Sequence, residues 1–481
     1  VTEKLQKPWL FALLLSAFIA LNSVLIWQEF YWFSALPVAI IIIALAFVRM
    51  DYFLIFISFL TPISVTLEDS SMGAALSLPS EPLIITLMMV FAGKVLIEGN
   101  YDKRILRHPL TLIIILHVLW MFFTSLLSSM PLVSFKFLIS RIWFVSVFFF
   151  LGAEVFKKPG NITRFMWAHM LGILIVIIYT TYEHSLRSFE KAPGHWVMTP
   201  FYHDHTAYGM ILALFLPFLI GYAFHNRHNL FIKLLILGVL AAFLIAFRLS
   251  NSRAAWLSVV AAGGVYFLFR FRIRWYFVLG GATAVLLLFM SLRTQLFIDL
   301  GRNKQDSSEN LEEHIQSISN ISTDASNLER INRWNCAISM YEEEPWLGWG
   351  PNTYKFNYAR FQKSTDITLI STNAGNKGNA HSEYLGPLAE QGIPGALLVV
   401  AIIIAILYTG NNVYKFADDV QVKRYALWIM LCFVTYWIHG VLNNFLELDK
   451  ASVPYWSMAA MLVAMDVQRR QQPILPEGKL K

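Results

Sequence analysis

Apolar runs of about 15 to 25 residues recur from end to end of the chain, separated by shorter polar segments. They lie near 9–27, 31–48, 52–66, 83–98, 109–127, 132–156, 163–182, 206–224, 231–249, 254–270, 274–291, 382–409, 424–446 and 453–467. Fourteen such runs predict an all-α polytopic membrane protein, with about 12–14 transmembrane helices. The lower count applies if the short pair 31–48 and 52–66, separated only by Arg49-Met50-Asp51, does not cross twice. The first run leads straight into the second without a small-residue cleavage site, so it reads as a retained span. The expected division is 1–291 for the first eleven spans, 292–381 for a large and mainly helical loop, 382–467 for the last spans and 468–481 for a tail.

Two polar segments are too long to be turns. One, 183–205, carries His195, His203, Asp204 and His205. The other, 292–381, has Gly-, Ser- and Asn-rich ends and a helical middle. Ser326 with Glu329 fits a capping box, and the helix behind it is expected to run to about Glu343, before Pro345, with Trp334, Ala337 and Tyr341 on one face. No internal repeat is visible.

Composition agrees with the pattern. The chain is 57% hydrophobic and 14% charged, against about 25% charged in a soluble protein. Cys336 and Cys432 give neither a disulfide framework nor a metal cluster. The net charge of +7 does not point to nucleic acid, because the basic residues flank spans. With the N-terminus in the cytoplasm, the inner segments gather Lys103, Arg104, Arg107, Lys157, Lys158, Arg270, Lys423, Arg424, Arg469 and Arg470, among others. The short outer loops hold only Arg187, Lys191, Arg248, Arg253 and Lys450. Both ends are therefore expected in the cytoplasm and both long polar segments outside.

Several residues could carry chemistry at the outer boundary. Arg253, in Ser250-Asn251-Ser252-Arg253, sits where one span turns into the next; it either grips a phosphate in a bidentate fork or snorkels to the interface. Lys136 and Arg141 lie inside the outer half of a span, where a charge faces a cavity or a partner. A spacing of five sets them about 140° apart on a helix, so they do not serve one ligand equally. His381 closes the long loop and offers an imidazole that can take or give a proton near neutral pH; the plain alternative is a helix cap. The run behind it, 382–409, would be about 42 Å long as an unbroken helix, more than the roughly 30 Å of hydrocarbon, and Gly392-Ile393-Pro394-Gly395 is expected to break it. Arg330 and Arg333 add positive charge on the loop helix or form a solvated face. Trp346 and Trp349 stack on a sugar or anchor the loop. His203-Asp204-His205 has metal-like residue types without a third and fourth ligand, and is read as a polar rim.

In this order, Ser252-Arg253-Ala254-Ala255-Trp256, Arg333-Trp334 through Pro345-Trp346-Leu347-Gly348-Trp349-Gly350, and Ala380-His381-Ser382-Glu383-Tyr384-Leu385 with Glu390-Gln391-Gly392-Ile393-Pro394-Gly395 resemble the O-antigen ligase and O-antigen polymerase superfamily of bacterial envelope glycosyltransferases. The resemblance spans roughly residues 200–450. It departs in Ser382, where the common family form has Asn. It implies an inverting, metal-independent glycosyltransferase of the inner membrane that takes a glycan from undecaprenyl pyrophosphate on the periplasmic face. His381 would be the catalytic base and Arg253 a pyrophosphate ligand. Arg141 and Lys136 are further pyrophosphate candidates by depth and charge alone. Arg330, Arg333, Trp349, Tyr384, His203 and His205 are candidates for glycan or acceptor contacts. No cofactor or metal is called for. The acceptor is lipid A–core in the ligase reading and another lipid-linked repeat unit in the polymerase reading. A lipid-linked glycan flippase is the alternative from another class, disfavoured by the outer clustering of charge and the lack of repeats.

Overall fold

A computed structural model of the chain describes residues 8–69, 74–225, 228–271, 325–364, 371 and 378–471. Among these residues it is a helical bundle. Ser80–Glu98, Pro109–Leu126, Pro131–Val155, Pro159–Ser185, His205–Phe224, Leu230–Leu249 and Leu385–Phe416 are long and apolar enough to cross a bilayer. Pro8–Trp27, Leu36–Val48 and Met50–Leu60 are further apolar helices. The protein is an all-α, multi-pass membrane protein. The expected span 274–291, Ser326's side chain and much of 292–381 lie outside the described residues.

Arg253–Arg270, Val420–His439 and Asp449–Arg469 are more polar, and the last two are the innermost. Every residue from Asp449 to Val467 is buried. Small side chains let neighbours approach this helix, as membrane helices without a hydrophobic drive between them require. A Cβ on Gly152, for example, would lie 3.3 Å from that of Ala460. Its polar ends are paired. Ser80 Oγ donates to Asp449 Oδ2 (2.7 Å) and Lys450 Nζ donates to the Ser64 carbonyl (3.0 Å) at one end. At the other, Asp466 takes ion pairs from Arg469 and Arg470 (2.7 Å each).

Two boundaries differ from expectation. The run 52–66 ends as helix at Leu60, passes through a 3₁₀ turn at Thr61–Ile63 and continues into an antiparallel hairpin, Val65–Asp69 with Ala74–Leu78. Val65 faces Leu78 and Asp69 faces Ala74. Pro62 cannot donate to the preceding turn, and the β-branched Val65 and Thr66 suit an extended chain. The run 424–446 stops at His439 and Gly440, and the apolar residues from Val441 to Leu448 form a loop against the functional end of the bundle.

The break in the long helix Leu385–Phe416 falls at Gly392, whose backbone (φ 67°, ψ −170°) is non-helical. Only glycine takes that conformation without strain, and a Cβ here would collide with the backbone of Pro345 and Trp346. The 345–350 segment occupies the notch. Ile393 N donates to Pro345 O (2.9 Å), Trp349 N to Ala389 O (3.1 Å) and Gly350 N to Glu390 O (2.8 Å). Backbone groups freed by the break are thus paired where water is scarce.

Candidate active site

The loop helix Ala325–Glu343 lies against the first turns of Leu385–Phe416 and ends, as expected, before Pro345. Its buried side is Asn332, Arg333, Cys336, Ala337 and Met340, one position off the expected Trp334 face. Between this helix and the bundle runs the strap 379–384. Three features fix it. His381 N donates to Asn379 Oδ1 (3.1 Å). Ser382 Oγ accepts the amides of Tyr384 and Leu385 (3.3 Å each) and so caps the long helix. Glu383 Oε1 accepts Tyr436 Oη (2.5 Å), Phe445 N (2.6 Å) and Leu446 N (2.9 Å), while Glu383 N donates to Gly440 O (2.8 Å). Four bonds clamp one residue, two positions after His381, three of them to the 440–448 loop and one to Tyr436. The clamp holds His381 itself at φ +48°, a left-handed backbone that a side chain adopts only when its surroundings over-determine it.

The His381 imidazole is removed from water and feels the charges of Arg330 and Arg333 more than those of Glu329 and Asp204. Burial first, then the two guanidinium groups, push its pKa down to about 4. It is a neutral proton acceptor at physiological pH. Arg330 rests its Nε on the Leu442 carbonyl (3.2 Å) and lies within electrostatic reach of His205, His381 and His439. Arg333, one turn further, is buried. Its Nε pairs with Glu329 Oε1 (2.7 Å) and its guanidinium lies 4.0 Å over the Tyr358 ring, so it builds the loop.

Arg253 is half-buried at the first position of Arg253–Arg270. Ser252 Oγ caps that helix by accepting Ala255 N (3.4 Å), and Asn251 turns the chain at φ +49°. Gly209 lets this turn sit against the helix that begins at His205, since a Cβ there would strike Ser252. Arg253 is thereby brought within electrostatic reach of His205. His205 Nδ1 lies 3.2 Å from His195 Nδ1. Asp204 Oδ1 is spent on Thr206 N (2.7 Å) and Ala207 N (2.8 Å) as a cap, and its carboxyl is held below the usual range by Thr206 and Ala207 against the cost of burial. His203 is exposed. Among the described residues no group of three or more His, Cys, Asp or Glu is placed to hold a metal.

The structure therefore gathers His381, Arg330, Arg253 and His205 at one place and separates others from it. Arg141 is buried within reach of Glu383 and Glu447 and is not among the charges that act on His381, and Lys136 is exposed. Trp349 donates its indole N–H to Met340 O (2.9 Å) under the Arg360 guanidinium (4.1 Å), and Tyr384 Oη donates to Trp437 O (2.9 Å); both are fastened into the scaffold. His439, which hydropathy had absorbed into an apolar run, is buried at the end of its helix near Arg330 and Asp204. Its place in the last turn of a span at the functional end was the available signal.

His381, its pKa lowered, thus lies beside the Arg330 and Arg333 guanidinium groups at one end of the helical bundle. Residues 238–400, within a chain of 481, match the family model described as O-antigen ligase, so this segment is similar to that family. The match holds Arg253, Arg330, Arg333, Trp349, His381 and Tyr384, and is narrower than the 200–450 expected from the motifs. No curated protein matches the chain.

Proposed function

We propose that the protein transfers a glycan from undecaprenyl pyrophosphate to an acceptor on the periplasmic face of the bacterial inner membrane, joining O-antigen to lipid A–core. The observation that carries this is the neutral His381 held beside Arg330, with Arg253 reaching the same cluster through His205, inside the segment that matches O-antigen ligases. Both ends of the chain lie in the cytoplasm in this reading. It is supported by Arg104, Lys157, Arg469 and Arg470, which collect at the end of the bundle remote from the strap.

Arg253 and Arg330 take the pyrophosphate of the donor and stabilise the charge that grows on it as it leaves. His381 accepts the proton of the acceptor hydroxyl while that oxygen attacks the anomeric carbon. The new glycosidic bond forms, the bond from the anomeric carbon to the pyrophosphate oxygen breaks, and undecaprenyl pyrophosphate departs. Attack opposite the leaving group inverts the anomeric centre. The leaving group is already activated, so the guanidinium groups suffice without a metal.

Basicity and donor binding are coupled. In the empty site Arg330 and Arg333 keep His381 a weak base. An anionic pyrophosphate on Arg330 offsets that charge and returns the imidazole toward its ordinary pKa, so the base strengthens only when there is a donor to react.

The test mixes purified protein, undecaprenyl-pyrophosphate glycan and lipid A–core, with and without chelator. Product on lipid A–core, unaffected by chelator and lost in His381→Ala and Arg253→Ala, is expected. Longer lipid-linked chains in place of that product would make the protein a polymerase, and translocation of the donor without any transfer would make it a flippase.

A further inference from the structure

A polar cavity of about 80 Å³ is lined by Asn379, Ala380 and Glu383 of the strap but not by His381. Arg141, Lys355, Asn379, Glu383, Glu390 and Glu447 line it. Arg141 is 7% exposed, and its Nε and Nη1 have no hydrogen-bond partner among the described residues. The rings of Phe137 and Trp456 stand 5.3 and 5.7 Å from its guanidinium carbon and hold it in place. Gln391 and His117 lie on the same wall and face each other. Orphaned donors on a buried guanidinium are costly unless a ligand completes them.

The hydrogen-bonding pattern selects the ligand. Glu383 Oε1 is already spent on Tyr436, Phe445 and Leu446, Glu390 Oε1 accepts Tyr354 N (2.9 Å), and burial pushes the Glu447 carboxyl up toward its neutral form, so the wall offers scattered donors and acceptors rather than a block of one charge. A sugar fits, because each hydroxyl donates to a carboxylate or amide oxygen and accepts from a guanidinium or ammonium. The space admits the hydroxyl-bearing edge of a single ring. Asn379 and Ala380 line the cavity and His381 follows at once, so a saccharide seated here reaches the base across one step of the strap.

We propose that this cavity is the subsite for a sugar of the acceptor saccharide, held through its hydroxyls by Arg141, Glu390, Gln391 and Asn379. The inference rests on the glycosyl-transfer reading and names where its second substrate binds. It assigns Arg141 to the acceptor and leaves the donor pyrophosphate to Arg253 and Arg330.

The experiment uses the full-length protein in lipid nanodiscs and determines KM separately for undecaprenyl-pyrophosphate glycan and lipid A–core. Arg141→Gln is expected to raise the acceptor KM roughly ten- to hundredfold, with the donor KM changed by less than about twofold. Lys355→Gln, outside the membrane helices, is expected to raise the acceptor KM a few-fold and carries the test if the buried variant does not fold. A rise in donor KM with the acceptor KM unchanged would overturn the proposal. If the wild type transfers nothing, the transfer reading has failed, and equilibrium dialysis with free core oligosaccharide decides the cavity alone. Binding by the wild type that both variants weaken sustains a saccharide site; absent or equal binding rejects it.

Discussion

The two sides of the strap 379–384 are built on different electrostatic plans. On the His381 side, Arg330 and Arg253 converge near imidazoles, while Glu329 is spent on Arg333. On the Arg141 side, two cations and three carboxyls share a cavity with the unpartnered Arg141 donors. The first arrangement attracts concentrated negative charge, and the second suits a neutral surface dense in hydroxyls. A short piece of chain, pinned by Glu383, can therefore face two unlike substrates and keep them from exchanging places.

The largest blow to this contrast is removal of the base. His381→Ala is expected to lower the transfer rate by ~10² to 10⁴-fold and to leave the donor KM near that of the wild type, as measured by product formation at saturating substrates. Next come the cations. Arg253→Ala and Arg330→Gln are each expected to weaken donor binding by roughly ten- to hundredfold, read as donor KM, while the acceptor KM holds steady. Equal effects on both substrates would erase the distinction between the two sides.

The pH profile sharpens it further. His381 acts as a base only when unprotonated, so the acidic limb of kcat/KM, which reports the free enzyme, is expected near pH 4. Arg330→Gln removes a positive charge that lowers this pKa, so the limb should move upward toward neutral pH; Arg141→Gln should leave it in place. In the wild type the limb of kcat, which reports the donor complex, should lie above that of kcat/KM. Smaller effects concern the scaffold. Gly392→Ala forces a side chain into a left-handed backbone against Trp346 and is expected to destabilise the fold by about 1–3 kcal/mol, seen as a lower unfolding temperature in detergent. Tyr384→Phe removes one hydrogen bond to Trp437 and should cost about 1 kcal/mol with little change in transfer.

Much of the architecture was legible in the residue pattern. The spacing of apolar runs located the helices, Pro345 marked the end of the loop helix, and Gly392 with Pro394 marked the break in the long one. Hydropathy failed where it summed composition over a change of conformation. Val65 and Thr66 prolonged an apolar run although they form a strand, and Val441 to Leu446 did the same although they form a loop. Within the site, charge and depth suggested both Arg141 and Arg253, but depth carries no information about which side of the strap a residue faces. Arg330 and Arg333 looked equivalent on the helix. Glu329, four residues before Arg333, was the available sign that Arg333 is held in an ion pair. His439 was hidden because a single imidazole scarcely changes the average of an apolar helix.

The 345–350 segment seated in the break at Gly392 also bears on how the chain is assembled. During synthesis that segment emerges before the helix it completes. The amide of Ile393 and the carbonyls of Ala389 and Glu390 find their partners only after Pro345, Trp349 and Gly350 have reached the same side of the bilayer. Seating of the loop segment and closure of this helix are consequently one event, and a chain whose loop segment is not seated keeps an open notch in a long apolar helix.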